Sequence, residues 1–365
     1  MLFIIMMAET LLVGGISLLY PRIARKGLLF GVYVGEEAFE GEAARRITRS
    51  WYRGMIAAII LSLAAGAVLA LATPNPLAAV APVFLLLLAF MVLYLRAYFQ
   101  ARALAPAAPP PAAVAPVGPT PEPSALLPAL TLIVGVACGV VAIAYAWSNY
   151  PDLPAQVPTH FGASGRPDEW RAKSFFTVML LPIMVLVLGT GMGGIAWLTA
   201  HAKRALRRSD QGASLVAQVR FRRAVTRFLC GCALLVIAML TLMSVQSIRV
   251  ALGAMEGLSF LTGVLGVGIA VYAIGGTVYI AIRYGQGGAR LERACAATPL
   301  TNGLADNRSW VLGAFYVNRA DPSFLVERRF GFGYTVNLGN WKAVVLLAVF
   351  LVAVLGITIA ALVTN

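Results

Sequence analysis

Eight apolar runs, each about twenty residues long, punctuate the chain at 2–20, 54–73, 77–99, 126–148, 175–199, 225–246, 260–282 and 343–363. A bilayer core about 30 Å thick takes roughly 20 residues of helix to cross. In lipid a spanning segment must satisfy its own backbone, which a helix does within itself. Each run therefore predicts a membrane-spanning helix. Pro74-Asn75-Pro76 separates the second run from the third and predicts a tight helical hairpin. The first run has no basic residue ahead of it, and Arg22, Arg25 and Lys26 follow it. That order predicts an outside-to-inside first helix rather than a cleaved signal peptide. The predicted fold class is an all-α polytopic membrane protein with about eight transmembrane helices and a small cytoplasmic β module before the last one.

Composition agrees: 60% of residues are hydrophobic and 12% charged, with a formal net charge of +14. Soluble domains average about 45–50% apolar and 25% charged residues, so most of this surface needs lipid as its solvent. The basic residues cluster between apolar runs, and no helix-turn-helix, zinc or base-stacking motif accompanies them. They orient helices, and nucleic acid is not an expected partner. With the N-terminus outside, 25 of the 29 Lys/Arg fall on the loops and helix ends assigned to the cytoplasm and 4 on the outer ones. This positive-inside split places both termini outside a bacterial cell (inner) membrane. Cys138, Cys230 and Cys232 lie in apolar runs and Cys295 in an inner loop, so no disulfide framework is expected.

The expected organisation is an N-terminal three-helix segment, 1–101, with a basic inner loop at 20–53. A Pro/Ala-rich cytoplasmic linker at 102–125 holds eight prolines. A helix pair over 126–199 carries an extracytoplasmic loop at 149–174. Helices six and seven occupy 200–282, the β module 283–342 and the last helix 343–365. Gly135/Gly139 and Gly189/Gly193 are small-xxx-small pairs that let helices approach closely.

Two connecting segments are richer than connectors. In 149–174, Pro151, Pro154, Pro158 and Pro167 stiffen the chain while Gly162 and Gly165 permit turns. This loop gathers the candidate site His160, Phe161, Asp168, Trp170, Lys173 and Asp152. In 283–342, the β-favouring stretches 309–317, 323–328 and 332–338 are separated by turn-forming residues, which predicts three short strands. Trp310, Tyr316, Asn318, Asp321, Arg329 and Asn337 form its candidate interaction surface. Gly331 and Gly333 flank the last stretch, where positive φ or close backbone approach is expected.

The outer loop resembles domain of unknown function 1648, from the N-terminal part of SdpI-type bacterial membrane proteins. The resemblance rests on Tyr150-Pro151, Leu153-Pro154, Val157-Pro158, His160-Phe161, Gly165, Pro167-Asp168, Trp170 and Lys173, followed by a helix with Pro182. The inner segment resembles domain of unknown function 5808 through Trp310, Gly313, Phe315-Tyr316, Asn318, Asp321-Pro322, Val326, Arg329, Gly331, Gly333, Asn337 and Gly339. Phe30-Gly31-Val32 lies in what looks like the usual first inner loop of proteins that combine the two. The resemblance implies protection against a membrane-acting toxin, or the holding of a regulator at the membrane. Its partners would be the lipid bilayer, a cytoplasmic regulator, and an extracytoplasmic peptide or toxin.

Chemistry is sparse. His160 and His201 are the only histidines, on opposite predicted sides, and no H-E-x-x-H, G-x-S-x-G or Walker sequence occurs. No catalytic residue, cofactor or metal is expected, and His160 reads as a hydrogen-bonding turn residue rather than a ligand. Gly285-Gln286-Gly287-Gly288 lacks the Lys-Ser/Thr of a phosphate loop and reads as a flexible helix exit. Glu9 is the lone acid deep in a predicted span, and such groups are costly enough to suggest function. The leading expectation is SdpI-like sensing, immunity or signal transduction. An ion or small-molecule transporter using Glu9 is the alternative, and a metal-dependent membrane enzyme the third.

Overall fold

A computed structural model of the chain describes residues 2–73, 76–107, 125–162, 164–202, 211–292, 306–331 and 333–363. The long helices are α1 (Leu2–Ile23), α3 (Glu42–Ala72), α4 (Ala81–Arg102), α5 (Leu126–Asn149), α6 (Phe175–Ala200), α7 (Gln211–Ala251), α8 (Phe260–Tyr284) and α10 (Trp341–Val363). Short helices α2 (Glu36–Glu40) and α9 (Ala289–Glu292) lie between them. Four antiparallel hairpins complete the described structure. They are β1–β2 (Leu28–Leu29, Val32–Tyr33), β3–β4 (Gln156–Phe161, Pro167–Ala172), β5–β6 (Trp310–Val311, Phe315–Tyr316) and β7–β8 (Leu325–Glu327, Tyr334–Val336).

All eight apolar runs are helical, and six of the helices are long and apolar enough to cross a membrane among the described residues. The six lie in α3 to α8, and α10 has a shorter apolar stretch, Trp341–Gly356. Two helices begin well before their apolar runs. In α3 the buried stripe Ala44, Ile47, Trp51, Met55, Ala58, Ser62, Gly66 runs unbroken from the basic first turns into the apolar part. Its three- and four-residue steps keep one helical face inward throughout, which a search for uniform hydrophobicity does not register. The linker residues 108–124 and Cys295 lie outside the described residues.

The chain divides into two compact units. One comprises Met1–Thr120, Lys203–Phe221 and Ala281–Asn340, the other Pro121–Ala202, Arg222–Ile280 and Trp341–Asn365.

The first unit is built on aromatics. Trp51 and Met55 of α3 and Leu86, Tyr94 and Tyr98 of α4 are buried with Phe30 of the β1–β2 turn. Phe330 packs into this cluster, 4.4 Å from the Tyr94 ring centroid and 4.9 Å from Tyr20. Phe30 and Gly31 both have positive φ, 45° and 81°, as a type I′ hairpin turn requires. Leu312 and Gly313 repeat this, at 50° and 68°, in the β5–β6 turn. The two turns meet backbone to backbone, and a Cβ on Gly31 would lie 2.6 Å from the Gly313 carbonyl oxygen. Only glycine allows both the conformation and the approach.

In the second unit α5 and α6 cross at the predicted small residues. A Cβ on Gly135 would sit 2.7 Å from the Gly189 carbonyl carbon, and one on Gly193 2.8 Å from Leu132 Cα. Without a hydrophobic force between lipid-solvated helices, such van der Waals approach drives their association. Ser174 caps α6, accepting a hydrogen bond from Thr177 N at 3.1 Å.

The β segment before α10 differs from the three strands expected. It has four short strands in two hairpins, linked in strand pairing by a parallel bridge between Tyr316 and Asn337. The 309–317 stretch is itself a hairpin, because the positive-φ pair Leu312-Gly313 folds it back on itself. Gly331 and Gly333 have φ of 81° and 94°, as their placement beside the last strand suggested.

Candidate functional site

The 149–174 segment folds as a β hairpin standing on the second unit. Val157 pairs with Arg171, Pro158 with Trp170 and His160 with Glu169, with register irregularities on either side of His160. Leu153 and Val157 are buried against Ala146, Val178, Met179 and Ile248, which anchors one face of the hairpin. Its tip is tied down by Leu258 N donating to Gly165 O at 2.8 Å. Lys173 holds the entry turn, its Nζ donating to Leu153 O at 2.9 Å and Pro151 O at 3.3 Å while lying 4.8 Å from the Tyr150 ring centroid.

His160 Nδ1 lies 2.5 Å from Asp168 Oδ1, and both side chains are exposed. Asp152 and Trp170 are exposed, and Phe161 is half-buried. Asp152 does not join the histidine pair, and no group of three His, Cys, Asp or Glu side chains able to hold a metal lies among the described residues. The hairpin covers a cavity of about 210 Å³. Val157, Val178, Leu181 and Ile248 supply apolar walls, and His160, Glu169, Arg171, Thr177, Ser244 and Ser247 supply polar groups. Ser247 Oγ donates to Pro158 O at 3.4 Å. Thr10, Ser17, Thr131 and Thr199 each bond the carbonyl four residues earlier in their helices. Ser244, 2% exposed, has no hydrogen-bond partner among the described residues. Pro182, also lining the cavity, has no N–H for the Val178 carbonyl within α6. A buried hydroxyl without a partner costs free energy, and a ligand bearing a polar group would satisfy it.

The candidate residues of the β segment before α10 have a different placement. Trp310, Tyr316, Asp321, Arg329 and Asn337 are all buried, and Asn318 is half-buried. They make an interior network rather than a surface. Asn337 accepts from Asn318 N at 3.1 Å and Gly339 N at 2.9 Å, and donates to the carbonyls of Asn318 and Asp321, both at 2.9 Å. Tyr316 Oη donates to Asp321 Oδ2 at 2.9 Å. Burial, and then the hydrogen bond to the Asp321 carboxylate, push its phenol up to about 12. Arg329 lies 5.0 Å from the Trp310 ring centroid and donates to Asn307 Oδ1 at 2.6 Å. Burial lowers its pKa to about 9. Asn307 also brackets Tyr33, accepting from its N at 2.9 Å and donating to its O at 3.0 Å.

A second polar knot went unseen in the sequence. Arg25, fully buried, lies 3.5 Å from the Glu327 carboxylate and donates to Gly287 O at 2.9 Å. Its own backbone N donates to Gln286 Oε1 at 3.0 Å, and Gln286 Nε2 donates to Arg328 O. The expected flexible exit at 285–288 is therefore buried and bonded. Arg25 reads in sequence as one more orienting charge, and its partners lie more than 260 residues away, so no local signal reveals them. Glu9 is exposed on α1.

Comparison with protein families supports both resemblances. Residues 136–186 match the model of the Domain of unknown function (DUF1648). Residues 319–344 match that of the Family of unknown function (DUF5808). The first match covers much of α5, hairpin β3–β4 and the start of α6, and the second covers β7–β8 and the start of α10. No curated protein and no solved structure matches the chain. The chain thus has the apolar helices of an integral membrane protein and carries segments that match both domain models.

Proposed function

We propose that the chain is a sensing or immunity protein of the bacterial cell membrane, with hairpin β3–β4 reading an extracytoplasmic amphipathic peptide. The observation that carries this reading is the cavity beneath the hairpin, with apolar walls, a polar rim and the unsatisfied Ser244 hydroxyl. Such a site suits a ligand with an apolar body and a few polar groups. The resemblance of this loop's sequence to SdpI-type proteins, carried by motifs such as Tyr150-Pro151, His160-Phe161 and Pro167-Asp168, supports the same reading. In this reading α1 and α10 complete eight spans, both termini face outward, and the β5–β8 module lies inside and holds a regulator. The positive-inside distribution of arginine and lysine supports that orientation.

The test is survival of cells expressing the chain when challenged with membrane-permeabilising peptides. His160→Ala, Trp170→Ala and Ser244→Val should each lower protection while leaving membrane insertion unchanged, whereas Glu9→Gln should leave protection intact. Loss of function in Glu9→Gln with none in the hairpin variants would move the function to transport.

A further inference from the structure

The first unit holds a larger cavity, of about 360 Å³, that the hairpin's function does not use. One side is a single face of α3, on which Arg45, Thr48, Arg49 and Tyr52 recur at helical spacing. Tyr20, Pro21 and Ala24 at the end of α1 line it as well, and Leu28, Phe30, Phe39 and Phe330 make its apolar walls. No carboxylate lines it among the described residues. Of the nearby acids, Glu40 is held 2.7 Å from Lys26, with Arg45 only a minor charge on it, and Glu42 lies 4.0 Å from Arg46. Arg45 and Arg49 are exposed and have no ion pair among the described residues. Arg22 adds positive charge 5.9 Å from the Tyr52 ring centroid.

The position along the helices fixes the surroundings. The apolar run of α1 ends at residue 20, and that of α3 begins at residue 54. Both helices therefore present the cavity at the boundary between apolar and polar chain, the level of lipid phosphates in a bilayer. Guanidinium groups make charge-assisted, often bidentate bonds to phosphate oxygens. Basic pockets between helices at this depth suit anionic headgroups.

We propose that this cavity binds the phosphate headgroup of an anionic membrane phospholipid. The phosphate sits on Arg45, Arg49 and the Thr48 hydroxyl, and the glycerol and first acyl carbons lie against Phe30, Phe39 and Phe330. A soluble phosphate ester has the same head chemistry but no apolar part to fill the walls, which separates the two sources experimentally.

The full chain, delipidated in neutral detergent, is titrated with phosphatidylglycerol, with phosphatidylcholine of the same chains, and with glycerol 3-phosphate. Bound lipid phosphorus and the thermal midpoint are read. Phosphatidylglycerol should bind at about one per chain and raise the midpoint, as a ligand specific for the native state does. The other two should do neither at the same concentration. Arg45→Gln/Arg49→Gln should weaken phosphatidylglycerol about tenfold or more, and Thr48→Ala about threefold, as lost charged and neutral hydrogen bonds would. Arg46→Gln/Arg53→Gln removes the same charge from α3 outside the cavity and should cost less than about twofold. Equal weakening by the two double variants overturns the site in favour of general charge attraction. Equal binding of phosphatidylcholine overturns the role of the anion, and protection by glycerol 3-phosphate alone overturns the assignment to a lipid.

Discussion

Replacing Asn337 with alanine removes the one side chain whose amide fills all four of its hydrogen-bonding positions inside the β5–β8 module. Its oxygen accepts from Asn318 N and Gly339 N, and its nitrogen donates to Asn318 O and Asp321 O, at 2.9–3.1 Å. The residue is 0% exposed, so water does not simply take its place. Each bond contributes about 0.5–1.5 kcal/mol net, and a buried partner left unsatisfied costs about 1–3 kcal/mol. With some relaxation toward solvent, Asn337→Ala should cost about 3–5 kcal/mol of local stability. The strands on either side are only two or three residues long, so they offer little else to hold the Tyr316–Asn337 bridge closed. At about 1.4 kcal/mol per factor of ten, the open population rises by roughly two to three powers of ten or more. Cleavage follows that population when opening is fast relative to proteolysis. Limited proteolysis of the full chain in detergent reads it directly, as the rate of cutting within 309–338. Asn340→Ala, which removes bonds at the module's exposed edge to Pro322 O and Ser323 O, is the control and should cost under about 1 kcal/mol. If Asn337→Ala is cut within about twofold of the wild-type rate, the network does not hold the module, and the reasoning fails.

Other expectations follow from the same geometry. Gly31→Ala combines positive φ with a Cβ that would clash with Gly313, and should cost more than Gly35→Ala, which shares the φ but has nothing within 4 Å; strain alone is worth about 1–2 kcal/mol, and equal thermal midpoints would refute the turn-to-turn contact. The Tyr316 phenol is raised to about 12 from 10.0, so its stabilising contribution is fully present below pH 10 and lost as pH rises through 12; protease resistance of 309–338 should fall over that window, and fall less in Tyr316→Phe. Lys173→Met removes two donated bonds to the carbonyls of Pro151 and Leu153 and should loosen the entry to hairpin β3–β4 by about 1–3 kcal/mol, seen as faster amide exchange at 150–157. For orientation, Ser164→Cys in a cysteine-free chain should label with an impermeant thiol reagent in intact cells and Ser323→Cys should not; the opposite pattern would invert the proposed topology.

What the sequence determined by itself is whatever each segment settles alone. A helix in lipid satisfies its backbone internally, so twenty apolar residues suffice to announce it, and all eight runs are helical. The glycine pairs 135/139 and 189/193 were legible for the same reason, since a helical period places small residues on one face whatever partner arrives. The family motifs marked both connecting segments before any contact was known. Tertiary structure decided the rest, because it depends on partners distant in sequence. Two-residue strands such as Leu28–Leu29 carry no alternation to read, and the Phe30-Gly31 turn acquires its purpose only when Leu312-Gly313 meets it. Burial also changed what the polar residues do. Trp310, Asp321 and Asn337 look like a surface in the sequence and are an interior, and Arg25 looks like a topology signal and is buried against Glu327. A buried polar group must find partners to offset its lost hydration, and only the folded chain shows which groups those are.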